Sequence, residues 1–336
     1  MKLKTLTLGP VQTNTYIFAD TDSNEAVVID PSWEGEKIAR AVENEGWQIK
    51  EVWLTHAHFD HIGGINTLLN TLAMGAKIIF PSNRNPDDIA SLIEMHQIHI
   101  LPASPTFLNM MLMAKVHERF NLRSLKMITY GTESMPESLL KKLKSSFPRT
   151  RLLQTFGTSE TGISQTSSRS SGSLDIKIND PSLEYKIVEG ELWLKSKVQV
   201  MGYLNASMES FTEDGWFKTG DLVEELEEGF IKIKGRAKEV INVGGEKVLP
   251  NEVESLLLSM DEIRDVMVFG APNIITGQTV VCELVLGTIL TTKEIKKRIR
   301  MFCKNKIEQY KIPTKVIIVE KVNFGSRFKK IRRKRL

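Results

Sequence analysis

Apolar and polar positions change texture three times along this chain. Residues 15–19 and 26–29 are rich in β-branched and apolar side chains, Asp30-Pro31 closes a turn, 34–45 carries helical spacing, and 51–54 reads as a buried strand. The pattern predicts two or three short strands, a helix and a further strand, a β-β-α-β opening. From Gly63 onward strand and helix alternate, with helices over 65–74, 87–96, 105–115 and 136–147 and strands over 77–80, 98–101, 125–129 and 151–155. Helices set between short buried strands imply a largely parallel sheet. Beyond Ser170 the chain turns strand-rich, at 184–188, 191–194 and 230–234, with glycines and acidic turns between. After Gly235-Arg236 a compact α+β unit follows: helix 250–259, strands 266–269 and 279–286, helix 293–304, strand 315–319. A domain boundary is expected near Lys238, and no internal repeat or long low-complexity tract interrupts the pattern.

At 336 residues, 41% hydrophobic and 26% charged, the chain has the length and composition of a soluble globular protein of two or three domains. The net charge of +4 arises from 45 basic and 41 acidic residues, and six of the basic ones fall in the terminal stretch FKKIRRKRL. The body is therefore near neutral. No zinc finger, aromatic-glycine RNA motif or recognition-helix pattern accompanies the basic tail, so nucleic-acid binding is disfavoured. Cys282 and Cys303 are the two cysteines, and their number predicts free thiols in a reducing compartment, the cytoplasm. Neither a signal-peptide apolar run nor eighteen uninterrupted apolar residues occurs, which disfavours secretion and a membrane span.

The stretch THAHFDHIGGINTLL, residues 55–69, holds the first candidate chemistry. His56, His58, Asp60 and His61 have H-x-H-x-D-H spacing directly after a strand, and imidazole and carboxylate donors on one tight loop suit Zn²⁺. With the GPVQTNTY opening and the VVIDP strand end, residues 1–61 resemble the metallo-β-lactamase fold hydrolases of the glyoxalase II type. That resemblance implies a second half of the site, with a glycine-flanked histidine, a bridging aspartate and a final histidine, which the sequence does not display. The remaining histidines, His96, His99 and His117, read as surface or core residues. The zinc site is expected to be incomplete and weak.

From Phe59 to about Lys334 a different set of motifs runs in order. FDHIGGINTLL, YGTESMPESLL, QTFGTSETG, GELWLKSKVQVMGYLN, FKTGDL, KGRAKEVINVGGEKVLPNEVE and FKKIRR together resemble the acyl-adenylate-forming ligases, the AMP-dependent acyl-CoA synthetases and adenylation domains. The resemblance implies a partial ligase large domain over 62–236 and a mobile α+β C-terminal domain over 237–336, an α/β fold preceded by the metallo-hydrolase-like opening of 1–61.

By that resemblance His61 becomes an acyl-pocket residue. Gly131 and Glu133 belong to the turn that packs on adenine, Phe156 and Gly157 to the adenine-stacking motif, and Ser159 stands where threonine is usual. Glu160 helps hold Mg²⁺ on the ATP phosphates, a carboxylate being a suitable hard ligand. Asp221 accepts from the ribose hydroxyls. Arg236 reaches the nucleotide, Lys238 occupies the hinge, and Gly244-Gly245 line the path of a pantetheine thiol. Lys330 is the cation that stabilises charge on the α-phosphate; Lys329 precedes it where glycine is usual.

The implied reaction uses MgATP and a carboxylic acid, releases pyrophosphate, rotates about Lys238, and transfers the acyl group to CoA or to the phosphopantetheine of an acyl carrier protein. No Ser/Thr/Gly-rich phosphate loop ending in Pro-Lys precedes FDHIGG; SSRSSGS at 167–173 follows the Thr-Glu-type motif and reads as a surface loop. Adenylation is therefore expected to be weakened or lost. Two alternatives stay open: a Zn²⁺-dependent hydrolase, and a non-catalytic chimera joined within FDHIGG.

Overall fold

In the computed structural model, which describes residues 1–8, 13–29, 35–53, 75–203, 205–325 and 329–332, the chain divides into two compact units. Met1–Ile78 with Thr158–Ile163 form the first, and Ile79–Gly157 with Ser164–Leu336 the second. Lys238, the expected boundary, lies within the second.

The first unit is built on strands β1 (Lys2–Leu8), β2 (Thr13–Ala19), β3 (Glu25–Ile29) and β4 (Gln48–Trp53), hydrogen-bonded in that order. The first two pairings are antiparallel and the third is parallel. A parallel pair needs a crossover, and helix α1 (Gly35–Glu43) supplies it. Ile17 and Val28 from the sheet, Ile38 and Val42 from α1, and Trp47 make its core. The β-β-α-β opening read from sequence is thus present, with β1 added at its edge. His56, His58, Asp60 and His61, and the helix expected over 65–74, lie outside the described residues.

In the second unit, α2 (Pro86–His96) starts where Asn85 accepts the Asp88 N–H and proline takes the first turn, so no donor is wasted. Ser104 does the same for α3 (Pro105–Met113) through the Phe107 N–H. Around them run β5 (Ile100–Ala103), α4 (Val116–Arg119), β6 (Met127–Tyr130), α5 (Glu137–Ser146) and β7 (Arg151–Gln154). Strands β5, β6 and β7 pair in parallel, and Leu108, Met111, Ile128, Leu140, Leu143 and Leu152 close the core between sheet and helices.

One expectation fails here. Residues 77–80 form no strand: Lys77 and Phe80 are exposed and the run has no ladder partner among the described residues, because an apolar tetrapeptide without a neighbouring strand gains nothing from extension. The parallel sheet expected from the alternation of strand and helix is present, with three strands among the described residues; the six-stranded sheet is antiparallel, and the four- and five-stranded sheets each hold one parallel pair.

Strands β8 (Phe156–Thr158) and β9 (Gly162–Ser164) form a hairpin. The strand-rich segment contributes β10 (Thr166–Ser168), β11 (Asp175–Ile178), β12 (Leu183–Val188), β13 (Glu191–Ser196), β14 (Phe217–Glu225) and β15 (Ile231–Arg236) to one six-stranded sheet, in the order β10-β11-β15-β14-β13-β12. The rest of the chain builds β16 (Ile241–Val243), β17 (Glu246–Val248), α6 (Pro250–Leu257), β18 (Ile263–Asn273), β19 (Gly277–Leu286), α7 (Thr292–Cys303) and β20 (Lys315–Ile318). Its sheet runs β17-β16-β19-β18, with β20 parallel to β19 on the other side. Cys282 and Cys303 are unpaired and buried in this core, and burial pushes their thiols up to about 12 and about 11. No helix among the described residues is long and apolar enough to cross a membrane.

Candidate functional site

Parallel strands leave their carboxyl ends at one edge of the sheet, where connecting loops diverge and a crevice opens. Here the turn after β6, the segment after β7 and the start of α3 line such a crevice, together with Asp221 from β14, Arg236 from the end of β15, and Lys330. Its volume is about 180 Å³.

The turn after β6 is tight. A Cβ placed on Gly131 would lie 2.7 Å from both the Thr155 carbonyl oxygen and its Oγ1, so the residue must be glycine for steric reasons alone. Gly131→Ala is expected to cost about 1–3 kcal/mol through overpacking, read as a lower urea midpoint. Thr132 follows with φ of 69°, a left-handed conformation that a β-branched residue adopts only when its surroundings impose it.

Glu133 is half-buried and ties three groups. One carboxylate oxygen accepts the Thr106 hydroxyl at 2.7 Å and its backbone N–H at 3.2 Å; the other accepts the backbone N–H of Lys330 at 2.6 Å. Phe156 is buried among Ile176, Leu192 and Val223 while still lining the crevice. Beside it Gln154, 6% exposed, leaves its Oε1 without a hydrogen-bond partner among the described residues.

Sheet register places Asp221 opposite Arg236, and the guanidinium Nε sits 2.9 Å from the carboxylate. Arg236 also donates to the Thr219 carbonyl at 2.8 Å. Burial of Asp221 outweighs this pair, and with Glu191 and Glu239 nearby its carboxyl is pushed up to about 6.

Lys330 reaches the crevice on a short arm: Gly325 donates to the Lys329 carbonyl and Ile331 to that of Asn323, at 2.9 Å each. Its ammonium donates to the Val266 carbonyl at 2.6 Å and lies 3.1 Å from Asp265 and 3.9 Å from Glu254. Burial opposes the charged form, but Asp265, Glu254 and Glu133 outweigh it and hold this lysine above the usual range.

The structure therefore brings Gly131, Glu133, Phe156, Gly157, Asp221, Arg236 and Lys330 to one place. Ser159 and Glu160 lie in the β8–β9 connection, within the first unit. Lys238 is exposed, in the turn after β15. Gly244 and Gly245, with φ of 62° and 94°, form the two-residue turn between β16 and β17, whose geometry itself demands glycine. Among the described residues no group of three or more histidine, cysteine or carboxylate side chains is placed to hold a metal ion.

Sequence reasoning missed Thr106, Gln154, Glu254, Asp265 and Arg332. Arg332 stood in plain view within FKKIRR; the buried acids Glu254 and Asp265 resemble surface charges when read in one dimension.

The AMP-binding enzyme model matches residues 32–204, and the model of the AMP-binding enzyme C-terminal domain matches 252–324. The chain belongs to the AMP-binding enzyme family. The first match begins at residue 32, inside the stretch 1–61 that was expected to be a metallo-hydrolase-like opening. A 2-succinylbenzoate–CoA ligase of Listeria monocytogenes serotype 4b is 28% identical over 292 residues, covering 84% of this chain and 60% of the ligase. Thus this AMP-binding enzyme spans less than two thirds of that relative's length. ATP-bound MatB of Rhodopseudomonas palustris shares the fold at a TM-score of 0.68 and 22% identity, over 80% of this chain and 56% of MatB. The o-succinylbenzoate CoA synthetase of Bacillus subtilis, in complex with its acyl-adenylate intermediate, aligns at a TM-score of 0.63 and 23% identity, over 98% of this chain and 67% of the synthetase. The fold is that of adenylate-forming ligases, with an N-terminal α/β part and a small C-terminal domain.

Proposed function

We propose that this chain activates a carboxylic acid with ATP as an acyl-adenylate and passes the acyl group to a thiol, that of CoA or of a carrier-protein phosphopantetheine. The observation that carries the reading is the single crevice into which motifs more than a hundred residues apart deliver Gly131, Phe156, Asp221, Arg236 and Lys330. The crevice suits a nucleotide. Gln154 Oε1 is a buried acceptor without a hydrogen-bond partner among the described residues, open to a donor such as an exocyclic amine, and the Asp221 carboxylate can accept from ribose hydroxyls. The 2-succinylbenzoate–CoA ligase name of the Listeria relative supports CoA as the acceptor.

In this reading a substrate carboxylate oxygen attacks the α-phosphorus, the bond to the β-phosphate oxygen breaks, and pyrophosphate leaves. Lys330 turns its ammonium toward the charge on the α-phosphate, and Arg236 contacts the nucleotide. Glu160, with Ser159 beside it, would hold Mg²⁺, which supplies charge neutralisation to the triphosphate. Rotation about Lys238 then exchanges the two half-reactions. The thiol, reaching past Gly244-Gly245, attacks the acyl carbon, losing its proton as AMP departs. His61 is assigned to the acyl pocket.

Nucleoside binding depends on the crevice. The zinc-hydrolase reading rests on the sequence resemblance of residues 1–61, with His56, His58, Asp60 and His61 as its candidate ligands.

The test is ATP-dependent acyl-hydroxamate formation and pyrophosphate release across a broad acid panel, with adenosine binding measured by calorimetry. Absence of both product and binding removes the proposal.

Adenosine binding also has a predicted pH dependence. With Asp221 titrating at about 6, its charge-assisted bonds to ribose weaken as pH falls, and affinity is expected to drop about tenfold from pH 7 to pH 5. Adenosine itself does not titrate in this window. The folding contribution has the opposite sign: a carboxyl raised above its unfolded value of 3.8 loses stability as pH rises from there to about 6. Asp221→Asn should abolish both trends.

A further inference from the structure

The crevice, at about 180 Å³, is smaller than the roughly 300 Å³ at which small-molecule clefts begin. Lys329, Lys330 and Arg332 are among the residues that line it, so the arm carrying the candidate cation takes part of the room. Two distinct attachments hold that residue. The main chain is held by the bridge to Phe324, whose two backbone bonds flank Lys330, and Lys330's own N–H is taken by the Glu133 carboxylate, which is itself anchored on the first turn of α3 through Thr106. The side chain is fixed elsewhere, on Asp265 and the Val266 carbonyl, with Glu254 at 3.9 Å and Arg332 as the neighbouring positive charge. These attachments are separable. The main-chain bond can persist while the ammonium leaves Asp265, because rotation of the lysine side chain does not move the amide N–H.

We propose that Glu133 is a positioning residue that pins the Lys330 main chain over the crevice, and that Asp265 is a storage site from which nucleotide phosphate must withdraw the ammonium. The second half of the proposal rests on the ligase reading; the first does not. Glu133 thereby has a role apart from base packing: it fixes the pivot about which Lys330 swings. Asp265 acts against the nucleotide, since every ATP that engages Lys330 displaces a carboxylate at 3.1 Å.

The main-chain half is tested on the full chain, without ligand, by pulse labelling with a water-soluble N-hydroxysuccinimide ester and peptide mass spectrometry, with exposed Lys293 as the internal reference. In the wild type Lys330 should label at least tenfold more slowly than Lys293. Glu133→Ala should bring Lys330 close to the reference rate, whereas Glu133→Gln, which keeps an acceptor oxygen, should leave it slow. Asp265→Asn, whose amide oxygen can still accept the Val266 N–H that Asp265 accepts at 2.9 Å, should raise the rate several-fold. Labelling of Lys330 as slow in Glu133→Ala as in wild type overturns the pinning, whatever Asp265→Asn does. Should Glu133→Ala fail to fold, Thr106→Val, which removes one anchor of Glu133, takes its place with the same expected direction.

The storage half is tested by ATP affinity. Asp265→Asn should tighten ATP several-fold, the opposite of what structural damage would do, and the gain should vanish in the Lys330→Ala background. Unchanged or weaker ATP binding by Asp265→Asn overturns storage. If wild type binds no ATP at all, the ligase reading and the storage role fall together, while the labelling result still decides the pinning by Glu133.

Discussion

Arg332→Ala is expected to lower the stability of the second unit by about 3–5 kcal/mol, the cost typical of leaving a buried charge without its partner. The guanidinium donates to Glu239 at 2.8 Å, to Asn251 at 3.0 Å and to Glu254 at 3.0 Å. Glu254 is the sensitive member, with its side chain 2% exposed. After the substitution it retains the Val268 N–H at 2.8 Å and the more distant Lys330 ammonium, too little to replace water around a carboxylate. Arg332→Lys should recover less than half of the loss, because one ammonium cannot span acceptors that a planar fork reaches together. Urea unfolding followed by tryptophan fluorescence and far-UV circular dichroism reads the change. A loss below about 1 kcal/mol would show that the cluster tolerates an unpaired Glu254 and would remove the structural reason for an arginine here.

That cluster marks the limit of what one-dimensional reading reaches. Helices such as Pro86–His96 and Pro105–Met113 were legible because their periodicity and their Asn-Pro and Ser-Pro starts agree. The pairing of Asp221 with Arg236 was half legible: both stood in recognisable motifs, but the strand expected over 230–234 stops short of the position that faces Asp221. Strand Phe217–Glu225 alternates buried and half-buried positions over most of its length, yet its Thr-Gly-Asp centre reads as a turn. Glu254 and Asp265 were not legible at all. Each carries a charge beside apolar neighbours, and only the return of the chain at Lys330, far along the sequence, supplies the countercharge that makes burial possible. Gly244 and Gly245 teach the reverse: a motif assigned to a thiol path also satisfies a two-residue hairpin turn, so their identity alone cannot choose between the roles.

Lys330→Ala is expected to lower hydroxamate formation by about 10²–10³-fold while leaving adenosine affinity within twofold. An ammonium that meets charge developing on the α-phosphate acts on the transition state, and removing one such preorganised donor has this magnitude. The fall should appear in kcat with KM for the acid nearly unchanged, the signature of an interaction made chiefly beyond the ground state. A second effect travels with it. Deleting the ammonium takes from the buried Asp265 its ion-pair partner, while Glu254 keeps Arg332, so the variant loses stability and must be assayed well below its unfolding temperature. The double variant Lys330→Ala, Asp265→Asn separates the two: it should regain stability by removing the unpaired carboxylate, yet regain no activity. Recovery of activity in that double variant, or a single variant within threefold of wild type, would show that Lys330 serves the buried ion cluster and that the cation of the reaction lies elsewhere, with Arg236 the next position to vary.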